Sequence, residues 1–144
     1  LSSLRGDTGI CVDLVKGHHN LGISSENGYI VPLDCGATGK TLLAAQSDEL
    51  VERLIQNYPG LEEKLRNQVK EIRQRGYCIS EGEVDEGVAA VAVPLPMPDH
   101  IYTLTYSGPV ERLRGLDYMV LVHSLQQAVK NILLKCDGKR KEAL

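Results

Sequence analysis

Residues 72–94 read IRQRGYCISEGEVDEGVAAVAVP. Ile72 closes a stripe of Leu61, Leu65, Val69 and Ile72, spaced three and four residues apart with charge between them. That spacing predicts a helix, and Gly76 is its C-terminal stop. Tyr77–Ser80 follows as a short strand, then an acidic loop from Glu81 to Glu86 ending at Gly87. Val88–Leu95 is continuously small and aliphatic, the pattern of a strand covered on both faces. Pro94, Pro96 and Pro98 are expected to end it, since proline donates nothing to a ladder. One helix thus hands directly to two strands with no helix between them.

Downstream, Ile101–Tyr106 is a run of strong β-formers, Ser107-Gly108-Pro109 reads as a turn, and Leu116–Lys135 as a long helix. Met119, Val122, Leu125, Val129, Ile132 and Leu133 form the expected buried side of that helix. Upstream, Leu1–Leu4 and Ile10–Val15 read as a hairpin around Arg5–Gly9. Lys16–Asn27 is polar loop with a short strand expected around Leu21–Ile23, and Tyr29–Leu33 is a further apolar piece. Thr38 is the expected cap of a helix over Gly39–Ala45, and Ser47 the cap of a second one bearing Asp48 and Glu49 in its first turn. The order is strands, helices, strands, helix. It predicts an α+β domain, a mainly antiparallel sheet with helices packed against it and room for a small ligand.

The chain has 144 residues, enough for one domain with a sizeable core. Phe and Trp are absent, so Val, Ile, Leu and Ala must fill that core. No apolar run reaches the roughly 20 residues of a membrane helix, and Leu1–Leu4 does not resemble a signal peptide. A cytoplasmic protein is expected. Sixteen basic against nineteen acidic residues leave a net charge of −3, the wrong balance for a domain that grips DNA by itself. Lys139, Arg140 and Lys141 read as a solvated tail. Cys11, Cys35, Cys78 and Cys136 lie far apart with no Cys-x-x-Cys pair, which argues for reduced thiols and against a zinc ribbon. The chain begins without Met, and a segment cut from something longer is expected.

Candidate chemistry is sparse. Gly36-Ala37-Thr38-Gly39-Lys40-Thr41 resembles a phosphate loop, but Asp34 stands where that pattern needs its first glycine. A carboxylate beside a triphosphate is electrostatically wrong. The surviving reading is that small residues admit close backbone approach, and that free helix N–H groups favour a carboxylate. His18 and His19 face opposite ways on extended backbone, while His100 and His123 are isolated; no nucleophile pattern accompanies them. The acidic stretch lacks calcium-loop spacing; Glu83 is its one candidate local cap. No catalytic residue, metal or cofactor is expected. Thr103, Thr105 and Ser107 alternate with Leu104 and Tyr106, so their hydroxyls share a sheet face.

Three blocks resemble the C-terminal effector-binding domain of IclR-type bacterial transcriptional regulators. They are Val31-Pro32-Leu33-Asp34-Cys35-Gly36-Ala37-Thr38-Gly39-Lys40-Thr41-Leu42-Leu43-Ala44, the run from Ile72 through Gly76-Tyr77, Ser80, Glu83 and Gly87 to Pro94, and Leu104-Thr105-Tyr106-Ser107-Gly108-Pro109 with Arg112-Leu113. The resemblance implies a GAF-like sandwich, missing its first helix, and a winged helix-turn-helix domain upstream through which alone DNA would be bound. It implies a homodimer or homotetramer and no enzyme activity. It also implies a pocket for a small organic acid or related catabolite, formed by Asn20, Ala37, Thr38, Ser80, Ala90, Thr105 and Ser107. Where the family prototype carries a carboxylate and a cysteine, this chain has Ser80 and Ala90. The alternative from another class is a small nucleotide-binding or hydrolytic enzyme using Gly36–Thr41.

Overall fold

The computed structural model describes residues 1–18 and 26–142. Its elements are β1 (Ser2–Arg5), β2 (Thr8–Cys11), β3 (Ile30–Val31), α1 (Ala37–Ala44), α2 (Asp48–Ile55), α3 (Glu62–Arg75), β4 (Cys78–Glu81), β5 (Val88–Met97), β6 (His100–Pro109), α4 (Val110–Leu116) and α5 (Tyr118–Glu142). The strands form one sheet in the order β3-β2-β1-β6-β5-β4, and every pairing is antiparallel. The α+β expectation holds. The strand expected around Leu21–Ile23, like Asn20, lies outside the described residues.

The register decides which residues meet. Cys78 and Ser80 of β4 stand opposite Ala92 and Ala90 of β5, which stand opposite Thr105 and Ser107 of β6. Side chains alternate across a strand, so these six residues share one face. Ala92 and Cys78 pack there into a core with Leu33, which precedes α1, and with Ala37, Leu42, Leu43, Leu54, Ile55, Leu65 and Ile72 from α1, α2 and α3. On the opposite face Ala89, Val91, Val93 and Leu95 are buried, as are Leu113 of α4 and Val122 of α5. β5 is therefore covered on both sides, as its unbroken aliphatic run predicts. Each fully buried Leu or Val contributes about 1.5–3 kcal/mol of transfer free energy.

Several boundaries differ from the sequence expectation. Pro94 and Pro96 do not end β5, which stays in register with β6 to the pair Met97–His100. β4 has its last partner at Ala92, so beyond it one side of β5 is an edge where a missing N–H costs nothing. β6 runs through Ser107-Gly108 to Pro109, and α4 follows before the long helix. Asp117 separates the two helices at φ 64°, and its Oδ1 accepts the Met119 N–H at 2.9 Å. Met119, assigned to the buried side, is 37% exposed. β2 stops at Cys11 instead of Val15, and Val12 and Val15 are exposed. The basic run 139–141 falls within the span of α5. Ser47 caps α2 as expected, accepting the Leu50 N–H at 3.3 Å, and Gly76 ends α3 in the left-handed region.

Candidate functional site

Thr38 does not cap α1. The cap position is Gly36 at φ 73°, with no side chain of its own, and Thr38 lies in the first turn. Helix starts expose N–H groups that need partners, and two acceptors arrive from β4 and the loop that follows it. Ser80 Oγ accepts the Ala37 N–H at 2.8 Å, and Glu83 Oε2 accepts the Gly36 N–H at 2.9 Å. The expectation of free N–H groups awaiting a ligand is corrected at these two positions. Glu83, expected as a local cap of its own loop, instead caps the start of α1, 47 residues away in sequence.

Gly39 shows why α1 starts where it does. A Cβ there would lie 1.6 Å from the Pro32 carbonyl oxygen. The small residue admits close backbone approach, but to the chain's own turn and not to a ligand. Lys40, one position on, is buried with its side chain 7% exposed, and its ammonium sits 2.8 Å from Glu83. A phosphate-binding lysine needs its charge free to reach the ligand, and this one is neutralised inside the protein.

Over the hydroxyl-bearing face of the sheet, beneath the start of α1, lies a cavity of about 140 Å³. Ala37, Thr38, Ser80, Ala90, Thr105 and Ser107 all line it. The structure thus brings together every site residue expected from sequence that it describes. Thr38 Oγ1 and Thr105 Oγ1 are hydrogen-bonded at 3.0 Å across the cavity wall, joining helix to sheet. Ser80, which is buried, gives its oxygen to the Ala37 N–H and keeps its O–H to donate. Ser107 is exposed, at the mouth. Thr103 shares the face but not the cavity: it is fully buried and its hydroxyl has no partner.

Other wall residues were not legible in the sequence. Ser2 and Cys11, paired across β1 and β2, line the cavity, as do Tyr29, Cys35, Val84 and Asp85. Ser2 could have been found once β1 was placed beside β6, because it stands opposite Thr103. Nothing local marks Glu83 as the partner of Lys40, since the pairing depends on the β4–β5 loop folding back over α1.

Electrostatics follow from this packing. Partial burial acts to raise the Glu83 pKa, but hydrogen bonds from Lys40 and the Gly36 N–H outweigh it and hold the carboxyl below its ordinary value. Burial, with the carboxylates of Asp34 and Glu83, pushes the Cys35 thiol up, and burial does the same to Cys78. Both stay protonated and poorly nucleophilic at neutral pH. All four cysteines are free thiols. Outside the cavity, Arg114 grips Glu81 through Nε at 3.0 Å and Nη2 at 2.6 Å, and the Tyr118 hydroxyl donates to the same carboxylate. These bonds lower the Glu81 pKa to about 2 and tie the end of β4, next to Ser80, to α4 and α5. Among the described residues, no helix is long and apolar enough to cross a membrane.

The chain is similar to known proteins in sequence and in fold. Over 104 residues the chain is 34% identical to the "Probable transcriptional regulator SauR" of Cupriavidus necator, covering 66% of this chain and 41% of that protein. It is 30% identical over 104 residues to the HTH-type transcriptional regulator KdgR of Dickeya chrysanthemi, covering 66% of this chain and 34% of that one. The chain therefore spans less than half the length of either relative. A solved Rhodococcus sp. chain assigned to the IclR family of regulators superposes with a TM-score of 0.81 at 25% identity, over 92% of this chain and 54% of that one. An Alicyclobacillus acidocaldarius regulator shares the fold with a TM-score of 0.77 at 23% identity, over 92% of this chain and 58% of that one. The family model for the C-terminal region of bacterial IclR transcriptional regulators matches residues 1–134, and the chain belongs to that family.

Proposed function

We propose that this domain senses a small catabolite in the cavity under α1, and that binding changes how the regulator sits on its operator. The observation that carries this reading is the convergence of Thr38, Ser80, Thr105 and Ser107 with Ala37 and Ala90 on one hollow. Hydroxyls both donate and accept, so they satisfy a buried polar ligand that would otherwise lose several kcal/mol on leaving water. A winged helix-turn-helix domain preceding this one would make the DNA contacts, in keeping with a net charge of −3 here. The regulator would act as a homodimer or homotetramer, with ligand and operator coupled by about 1–3 kcal/mol, as in other allosteric proteins.

Sequence favoured a carboxylate-bearing effector. Glu83 already holds the Gly36 N–H and the Lys40 ammonium, so neither of these two is left to answer such an effector. The enzyme reading draws less support: Lys40 is buried in an ion pair, and Asp34 stands where a phosphate loop starts. Turnover of ATP or an ester that Lys40→Ala abolishes would favour it. The sensing reading is tested by a thermal-shift screen of catabolites, followed by calorimetry on the double variant Thr105→Ala, Ser107→Ala. Affinity is expected to fall at least tenfold with the fold intact. Unchanged affinity rejects this placement of the site.

A further inference from the structure

We infer that residues 83–86, between β4 and β5, form a hinged strap at the mouth of the cavity, and that the Lys40–Glu83 pair is the latch whose release lets a small molecule in and out. The inference rests on the sensing reading above and concerns how that site is entered. Gly82 and Gly87 flank the strap at φ 64° and 81°, in the region that strains other residues. Neither has a heavy atom within 4 Å of where a Cβ would stand, so both hinges have space around them. The β4–β5 ladder stops just short of the strap: Glu81 pairs with Ala89, and the Gly82 N–H reaches the Val88 carbonyl at 2.8 Å. All four strap residues are exposed, yet Glu83, Val84 and Asp85 line the cavity. Exposed Ser107 also lines it, so the strap forms one lip of the opening.

Two side chains hold the strap against the start of α1. Glu83 accepts the Gly36 N–H at 2.9 Å through one carboxylate oxygen and the Lys40 ammonium at 2.8 Å through the other. Val84 lies over the same spot: a Cβ on Gly36 would come within 2.7 Å of its Cγ2, although Val84 is 46% exposed. Swinging the strap out carries Glu83 into water and leaves Lys40, only 7% exposed, without its counter-charge. The penalty for opening is therefore set by a lysine that does not itself line the cavity. The far hinge stays anchored, since the Gly87 carbonyl accepts the Val110 N–H of α4 at 2.9 Å. Motion is thus confined to the four residues between the glycines.

Two native thiols report on the opening. Cys11 lines the cavity and is 8% exposed, while Cys78, 3% exposed, lies in the core beneath the helices and does not line it. Alkylation by N-ethylmaleimide, a reagent of metabolite size, is followed at each thiol by peptide mass spectrometry. Cys78 reports global unfolding, and the ratio of the Cys11 rate to the Cys78 rate reports local opening. Lys40→Met keeps the buried stem and strands no charge when Glu83 leaves, so this ratio is expected to rise at least tenfold. Val84→Ser leaves the ion pair intact but removes the apolar seal, and should raise the ratio at least threefold. Equal rises at both thiols, or no rise at Cys11 in the folded variants, overturn the strap. Should Lys40→Met not fold, Val84→Ser decides alone. Alkylation reads access, whereas the calorimetry on Thr105→Ala, Ser107→Ala reads binding, so the strap and the sensing reading fail by different measurements.

Discussion

The Lys40–Glu83 pair is unequally buried, and removing its two halves should have unequal consequences. The lysine side chain is 7% exposed and the glutamate 36%. Glu83→Gln strands an ammonium where water cannot reach it. Breaking a fully buried pair costs about 3–5 kcal/mol and an exposed one about 0–1 kcal/mol. With one partner a third exposed, about 2–3 kcal/mol is expected for Glu83→Gln. Lys40→Met strands a group that can help itself: Glu83 keeps the Gly36 N–H at 2.9 Å and turns its exposed edge to water. Methionine also fills the space of the lysine stem. That variant should cost about 1 kcal/mol or less. At about 3–4 °C per kcal/mol for a chain of this size, thermal unfolding should show drops of roughly 6–12 °C and at most about 4 °C respectively. The double variant should unfold near Lys40→Met, since no stranded charge remains. If Lys40→Met is as destabilised as Glu83→Gln, burial asymmetry is not what governs this pair and the reasoning fails.

Gly39→Ala should abolish or severely weaken folding, because its Cβ would meet backbone at 1.6 Å and the Pro32 carbonyl has nowhere to move without displacing Leu33 from the core. Circular dichroism of the purified variant checks this, and a wild-type melting curve would contradict the close approach. Stability should also depend on pH in the acid range. Glu83 and Glu81 have folded pKa values below their unfolded ones, Glu81 at about 2. Their contribution is therefore full above the unfolded carboxylate range, near pH 4.5, and is lost as pH falls through the folded values. Melting temperature should decline from about pH 5 downward, less steeply in Glu83→Gln, and an equal slope in the variant would remove Glu83 from the account.

Much of the fold was legible because it rests on local rules. The Leu61, Leu65, Val69, Ile72 stripe and Gly76 mark α3 by spacing and by the one residue that takes φ 79° without strain. The β-formers of β6 and the aliphatic run of β5 announced themselves by composition. Boundaries failed where a neighbour set the rule. Pro94 and Pro96 look like strand terminators until β4 is known to stop at Ala92. Met119 looks buried until the break at Asp117 restarts the helix on a different face.

The amino-acid order by itself determined the alternation that puts Thr103, Thr105 and Ser107 on one face, and the small residues at Gly36, Ala37 and Gly39 that allow α1 to begin against the sheet. It also set the net charge of −3. Only the tertiary structure decided that Thr105 and Ser107, and not Thr103, meet Thr38 and Ser80 around a hollow. It alone decided that Glu83 accepts the Gly36 N–H and pairs with Lys40. The reason is range. Periodicity and steric demands act within a few residues and can be read along the chain, whereas a charge pair bridging 43 residues exists only once a six-stranded register has carried its two ends together.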